Sequence, residues 1–254
     1  MKATARRVGL ARALSKLGYC SRSQAVELIG EGRVRLNGKV QRDPEHPVVL
    51  GEDCVDVDRV AVAAEQKIYL MLNKPRGLVT SASDEKGRDT IYSLLDKTMP
   101  WLGPVGRLDR ASEGMLLLTN DSEWAARILS PASHLDKTYH VQINANPAAA
   151  EALLPKIQKG VASEEDFLRV KDVSVLRGGR SNSWLKIVLD EGKNRHIRRL
   201  FAHFDVEVLR LVRVAIGPVE LGDLPKGKTR TLTAGEKEKM DEELRRALHR
   251  VLLD

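Results

Sequence analysis

Aromatic residues are scarce in this sequence: Phe, Trp and Tyr together make up 4% of 254 residues. A surface of exposed stacking rings, of the kind some RNA-binding sheets use, is therefore not expected. Cysteine is scarcer still. Cys20 and Cys54 stand alone, which supports neither a disulfide framework nor a zinc site of ordinary ligand spacing. The six histidines are scattered and form no ligand motif, so chemistry without metal or organic cofactor is the expectation. No apolar run approaches the ~18 residues that a membrane helix needs. The opening residues also lack the hydrophobic segment of a secretory signal, so a cytoplasmic chain without membrane contact is expected. A core, by contrast, is well supplied. With 42% apolar and 30% charged residues, the chain reads as one large globular domain, or as a small module joined to a larger one.

Charge is unevenly spread. The net charge is +7, but residues 1–42 carry ten basic and two acidic side chains, and residues 43–65 carry one basic and seven acidic. A basic N-terminal face, with a more diffuse excess of Lys and Arg further on, suits a polyanion, because phosphate contacts release counterions. A merely solvated charged surface is the plainer alternative.

The first forty residues read as two short helices and a hairpin. Leu10, Leu14 and Leu17 recur at helical spacing and Gly18 ends that helix. Ser21 and Gln24 have the spacing of a capping box ahead of Ala25, Val26 and Ile29. Val34 and Leu36 alternate with Arg33 and Arg35, and Asn37-Gly38 signals a hairpin. Together Arg12, Lys16, Arg22, Arg33, Arg35 and Lys39 would present a surface for the phosphates of folded RNA. The acidic stretch from Asp43 leads to a linker near Val62 to Gln66. Beyond it, strands are expected at Ile68–Leu72, Met115–Leu118 and Trp184–Leu189, and helices at Trp124–Leu129, Ala148–Ile157 and Ile197–Phe204. Such an irregular mixture predicts an α+β domain around a partly antiparallel sheet. Thr233 to Glu236 form a second capping box before a last helix with Met240, Leu244, Leu248 and Val251 on its apolar face.

Within Gly106-Arg107-Leu108-Asp109-Arg110, the aspartate precedes a glycine turn and the apolar run Met115 to Leu118. A carboxylate on such a loop, flanked by two arginines, is kept ionised and suits a nucleophile or a base. A turn aspartate paired with arginine for structure alone is the alternative. The longer string from Gly106 through Gly114-Met-Leu-Leu-Leu-Thr-Asn-Asp121 resembles the catalytic motif of the pseudouridine synthases, specifically the RsuA/RluB-type ribosomal-RNA enzymes. Ile68 to Gly77 is similar to that family's opening strand and turn, Lys137-Thr138-Tyr139 to its tyrosine segment, and Gly192 to Phe201 with Leu211-Val212-Arg213 to its basic helix and closing strand. Ala11 to Lys39 resembles the small RNA-binding domain named after the fourth protein of the small ribosomal subunit, which such enzymes commonly carry. Met115 and His196 replace residues that the family often has as leucine and glutamine.

The resemblance covers about residues 8–235. It implies an RNA-binding domain at 8–65 and a pseudouridine synthase domain at 66–235 built on a mixed, largely antiparallel sheet; the second capping box adds a C-terminal helix at 236–254. It further implies isomerisation of a uridine within ribosomal RNA or a ribosomal-subunit precursor, leaning to the large subunit, with no cofactor and with a monomer as the default. Carried over residue by residue, Asp109 is the catalytic carboxylate, Tyr139 lies against the target ring, and Arg198 is the basic partner of the aspartate. Whether Asp109 attacks the sugar, attacks the ring or takes a proton stays open. On a helical wheel Arg198 lies at the border of the buried face defined by Ile197, Leu200, Phe201 and Phe204. Arg107 and Arg110 would hold phosphates beside a flipped nucleotide. Arg195 and Arg199 point to phosphates or to solvent, and Asn73 and Lys74 support the pocket. A non-catalytic assembly factor of the same fold, and an enzyme acting on transfer or messenger RNA, are the rival readings.

Overall fold

The computed structural model describes residues 7–251 except Ala64, Glu65, Ser83, Glu85, Glu164 and Glu165, and not the side chains of Leu248, Arg250 and Val251. The expected core positions Leu248 and Val251, and the middle of the expected linker, thus lie outside the described residues. The chain divides into two compact units. One holds Met1–Tyr69, Leu95–Gly103 and Leu118–Glu123; the other holds Leu70–Leu94, Pro104–Leu117 and Trp124–Asp254.

The first unit contains β1 (Arg7–Gly9), α1 (Leu10–Lys16), α2 (Arg22–Gly30), β2 (Val34–Leu36), β3 (Lys39–Val40), β4 (Pro47–Val49), β5 (Val55–Val57) and β6 (Val60–Ala61). Leu10 and Leu14 are fully buried, as their spacing requires, and Gly18 ends the helix turn at φ +82°. The capping box forms: Gln24 N donates to Ser21 Oγ at 3.2 Å, and Ser21 N donates to Gln24 Oε1 at 3.1 Å. The strands β3-β2-β5-β6 form a small sheet whose inner side chains Val34, Val55 and Val57 close a core with Ala25 and Ile29. Segments from later in the chain belong to the same unit. Trp101 N donates to Gly18 O at 3.1 Å, and Lys16 Nζ meets Glu123 at 2.8 Å.

The second unit is built on a nine-stranded sheet. In chain order its elements are β7 (Tyr69–Lys74), β8 (Gly103–Val105), β9 (Glu113–Thr119), α3 (Ser122–Leu129), β10 (Lys137–Ile143), α4 (Pro147–Lys159), the small pair β11 (Val161–Ala162) and β12 (Phe167–Leu168), β13 (Asp172–Gly178), β14 (Ser183–Leu189), α5 (His196–Ala202), β15 (Val208–Ile216), β16 (Val219–Glu220), β17 (Thr229–Thr231) and α6 (Ala234–Val251). The strand order is β13-β14-β10-β15-β9-β7-β17, with β8 beside β9 and β16 beside β15. β15 runs parallel to β9 and antiparallel to β10, so the sheet is mixed and largely antiparallel. Val141, Ile143, Leu185, Ile187 and Leu211 on one face pack with Ala150 and Ile157 of α4 and Ile197, Leu200 and Phe201 of α5. On α6, Met240 and Leu244 are buried, and Asp241 accepts from Trp124 Nε1 at 3.0 Å.

Two differences from the sequence reading matter. The expected strand Ile68–Leu72 is shifted and longer, ending at Lys74, because Asn73 finds partners far along the chain: its N donates to Lys228 O at 3.0 Å and its Nδ2 to Leu224 O at 2.7 Å. The edge strand β13 was not anticipated, since a bulge between Val175 and Arg177 interrupts its alternation.

Gly114 marks the closest approach in this sheet. It pairs with Arg213 of β15 at φ +102°, and a Cβ there would lie 2.2 Å from Arg213 O. Gly114→Ala is expected to destabilise the protein by at least about 2 kcal/mol. Gly38→Ala, at φ +80° with open space around it, is expected to cost only about 1 kcal/mol. Urea-unfolding midpoints check the order of the two.

Candidate active site

The turn from Leu108 to Ser112, which enters β9, is tied down at every residue. Thr80 Oγ1 donates to Leu108 O at 2.8 Å. Gly77 N donates to Arg110 O at 2.8 Å, and Arg110 Nε returns a bond to Gly77 O at 3.1 Å. Lys74 Nζ donates to Asp109 O at 3.1 Å and Ser112 O at 2.9 Å, with a third bond to Pro75 O at 3.2 Å. Arg198 closes the set through Nη2 to Ala111 O at 3.2 Å, while its Nη1 binds Val208 O at 3.1 Å. Backbone carbonyls are obligatory acceptors, and here two cations fill most of that need. The turn therefore has a single geometry, and the Asp109 side chain is left exposed with no hydrogen bond among the described residues.

Lys74 is wholly buried. Burial pushes its pKa down to about 8, against the pull of the Asp109 and Glu113 carboxylates. Burial likewise lowers the proton affinity of Arg198; Arg195 and Arg76 add to this and Asp109 opposes it. Asp109 thus lies within electrostatic reach of two cations, Lys74 of β7 and Arg198 of α5. On the strand side, Tyr139 of β10 lies opposite Ile187 on β14 and opposite Arg213 on β15, and Arg213 in turn faces Gly114. Tyr139 is half-buried against the core under α4 and α5. A bulge between Thr138 and Tyr139 sets its aim.

The structure places Asp109 and Arg198 at one turn and Tyr139 two strands away, level with the start of β9. Arg107 and Arg195 are exposed, the latter at φ +47° capping α5. Arg199 is engaged elsewhere, with Asp166 at 3.2 Å and Ser163 Oγ at 2.8 Å. In the first unit Arg12, Arg22 and Lys39 are exposed and Arg35 is half-buried. Arg33 is forked onto Asp58 at 2.9 and 2.6 Å and reaches Glu31 at 3.2 Å, and Lys16 holds Glu123. Those two cations have internal partners that their sequence neighbourhood did not show.

Arg213 is the group that sequence reasoning missed. It is 5% exposed, donates from Nε to Met115 O at 2.8 Å, and has a buried Nη2 with no partner among the described residues. Its place in the closing-strand motif was the available signal. Among the described residues no three His, Cys, Asp or Glu side chains converge as metal ligands. Burial raises the Cys20 thiol to about 11, which leaves it no use as a thiolate nucleophile. None of the described helices is long and apolar enough to cross a membrane.

A carboxylate held exposed on a rigid turn near two cations, on a mixed sheet, is an arrangement suited to an enzyme active site. Comparison with known proteins gives its kind. The family model described as RNA pseudouridylate synthase matches residues 68–203, and the S4 domain model matches residues 8–54. An uncharacterized RNA pseudouridine synthase of Aquifex aeolicus is 38% identical over 224 residues, which is 88% of this chain and 89% of that protein. Ribosomal large subunit pseudouridine synthase B of Bacillus subtilis is 34% identical over 229 residues, 89% of this chain and 93% of that one. A crystal structure of a pseudouridylate synthase shares the fold at TM-score 0.64 and 30% identity, over 92% of this chain and 99% of that chain. The chain belongs to the RNA pseudouridine synthase family, in its RsuA/RluB-type branch, and is an isomerase.

Lys74→Met removes three donors from buried carbonyls and is expected to destabilise by about 2–4 kcal/mol. The sign of its pH dependence follows from linkage. The unfolded lysine binds its proton up to its ordinary 10.5 and the folded one only to about 8, so between these values the unfolded chain holds more protons and rising pH stabilises the fold. The stability gap between wild type and Lys74→Met should therefore widen by about 2 kcal/mol from pH 7.5 to 9.5. Urea denaturation at both pH values measures it, and a gap that narrows refutes the assignment.

Proposed function

We propose that the protein converts one uridine of ribosomal RNA, in the large subunit or its precursor, to pseudouridine, with Asp109 as the reacting carboxylate. The observation that carries this reading is the turn at 108–112, whose five carbonyls all accept hydrogen bonds while the Asp109 carboxylate is exposed and has no hydrogen bond among the described residues. Such pre-organisation fixes a reacting group before the substrate arrives. In the isomerisation the bond from the sugar to ring nitrogen one breaks and a bond to carbon five forms. Carbon five gives up its hydrogen as a proton, and the nitrogen ends protonated. Tyr139 stacks on the displaced ring, and Arg198 sets the turn and the charge around Asp109. The uridine leaves its stack to reach the carboxylate, at a cost that a loop nucleotide lowers.

Residues 8–65 serve as the RNA-binding module through Arg12, Arg22, Arg35 and Lys39, and residues 66–235 as the catalytic domain. Arg107, Arg110 and Arg195 hold phosphates next to the flipped nucleotide. The protein acts as a monomer in the cytoplasm. The large-subunit assignment is supported by the Bacillus subtilis relative named for that subunit.

Tritium release from ribosomal RNA transcripts labelled at uridine carbon five tests the reaction, since that hydrogen must be freed. Wild type should release it on large-subunit RNA and Asp109→Asn should not, with RNA binding retained by both. Arg198→Lys, which has no planar fork to span Ala111 O and Val208 O, should slow release by about ten- to a hundredfold, or roughly 1.4–2.8 kcal/mol of barrier. Absence of release by wild type on transcripts and on partly assembled particles of both subunits would favour the non-catalytic assembly factor.

A further inference from the structure

Across β13, β14, β10 and β15 the large sheet has two faces of opposite chemistry. Tyr139, Val141, Leu185 and Ile187 point to the side covered by α4 and α5. Alternate residues of a strand face opposite ways, so their neighbours point outward, and the strand register sets them in rows. Arg177, Trp184, Gln142 and Arg210 align across β13, β14, β10 and β15. Two residues along, Ser174, Lys186, His140 and Val212 form a second row. The bulge in β13 completes the first row: Val175 packs on the core side, Leu176 is taken up in the bulge, and Arg177 turns outward.

The outer face is organised around one ring. The guanidinium carbons of Arg177 and Arg210 lie 5.3 and 5.4 Å from the centroid of the Trp184 ring. Arg210 is fixed from behind by a two-pronged bond to Glu113, 3.1 Å at each prong, and Lys226 binds the same carboxylate. Gln142 Nε2 donates to Asn182 Oδ1 at 3.2 Å. Arg177 and Lys186 have no ion pair among the described residues. Burial lowers the proton affinity of His140, and the charges of Arg177 and Lys186, both within electrostatic reach of it, lower it further.

We infer that this outer sheet face is a second RNA contact, in which Arg177 and Lys186 bind backbone phosphates and the Trp184 ring holds Arg177 in place. The inference rests on RNA being the substrate. It concerns the sheet face opposite the one that carries Tyr139, and hence a stretch of RNA away from the reacting uridine. RNA fits better than an acidic protein. A protein interface draws on an apolar centre, whereas here the central ring is flanked by guanidinium groups and the free valences are charged donors. Four strands span about 14 Å, room for a few phosphates along one backbone. Contacts of this kind position RNA without reading its sequence.

The test uses the full chain and a fluorescently labelled transcript of large-subunit ribosomal RNA, with Kd measured by anisotropy across a series of KCl concentrations. The double variant Arg177→Gln/Lys186→Gln is expected to bind about tenfold more weakly and to lower the slope of log Kd against log salt by about 1.5. The double variant Lys156→Gln/Lys159→Gln, which removes the same charge from exposed positions of α4, should change both quantities far less. Melting temperatures establish that each variant is folded. Unchanged binding by the first double variant, or equal losses in both, overturns the proposal; in the first case an acidic protein becomes the candidate for the face. Tritium release by wild type on the same transcript is scored separately. Its absence, with the binding difference intact, refutes the reaction and leaves the surface standing.

Discussion

The site depends on one buried ammonium group. Lys74 sits at the end of β7 with no exposed surface and gives its three donors to the carbonyls of Pro75, Asp109 and Ser112. A lysine in that position is strongly desolvated, and the three carbonyls it binds offset that cost; the Asp109 carbonyl accepts from Ser112 N as well. Arg198 repeats the device from α5 by binding Ala111 O and Val208 O. The side chain of Asp109 makes no hydrogen bond among the described residues.

Charge is divided between structural and available cations. Lys74, Arg198, Arg199, Arg210 and Arg213 spend their donors on carbonyls or carboxylates inside the protein. Arg107, Arg195, Arg12 and Arg22 have no such bond among the described residues. A net excess of positive charge is therefore a poor guide to which residue touches RNA. The sheet face around Trp184 shows the same division within a single row, where Arg210 is pinned by Glu113 and Arg177 is not.

Much of the fold was legible because its signals are local. The Ser21 capping box, the Asn37-Gly38 hairpin, the leucine spacing of α1 and the apolar run that becomes β9 each depend on neighbours within a few residues. The aspartate turn was legible through its motif. Less visible were the features made by distant segments: the extension of β7 to Lys74, which needs residues 224–228, the internal pairing of Arg33 with Asp58, and the edge strand β13, whose bulge breaks the period-two pattern. Arg213 escaped because an arginine within an apolar strand reads as an exception until its partner, Met115 O on the parallel strand β9, is seen.

Taken alone, the sequence determined the kinds of element present and the family. The tertiary structure decided which cations are free and which are consumed, that Lys74 rather than a surface residue supports the Asp109 turn, and that the strands β13, β14, β10 and β15 turn one face to the apolar core and a basic face outward. The reason is physical. Caps, turns and periodicities are set by near neighbours along the chain, whereas desolvation, carbonyl satisfaction and ion pairing are set by whatever folding brings within hydrogen-bond reach.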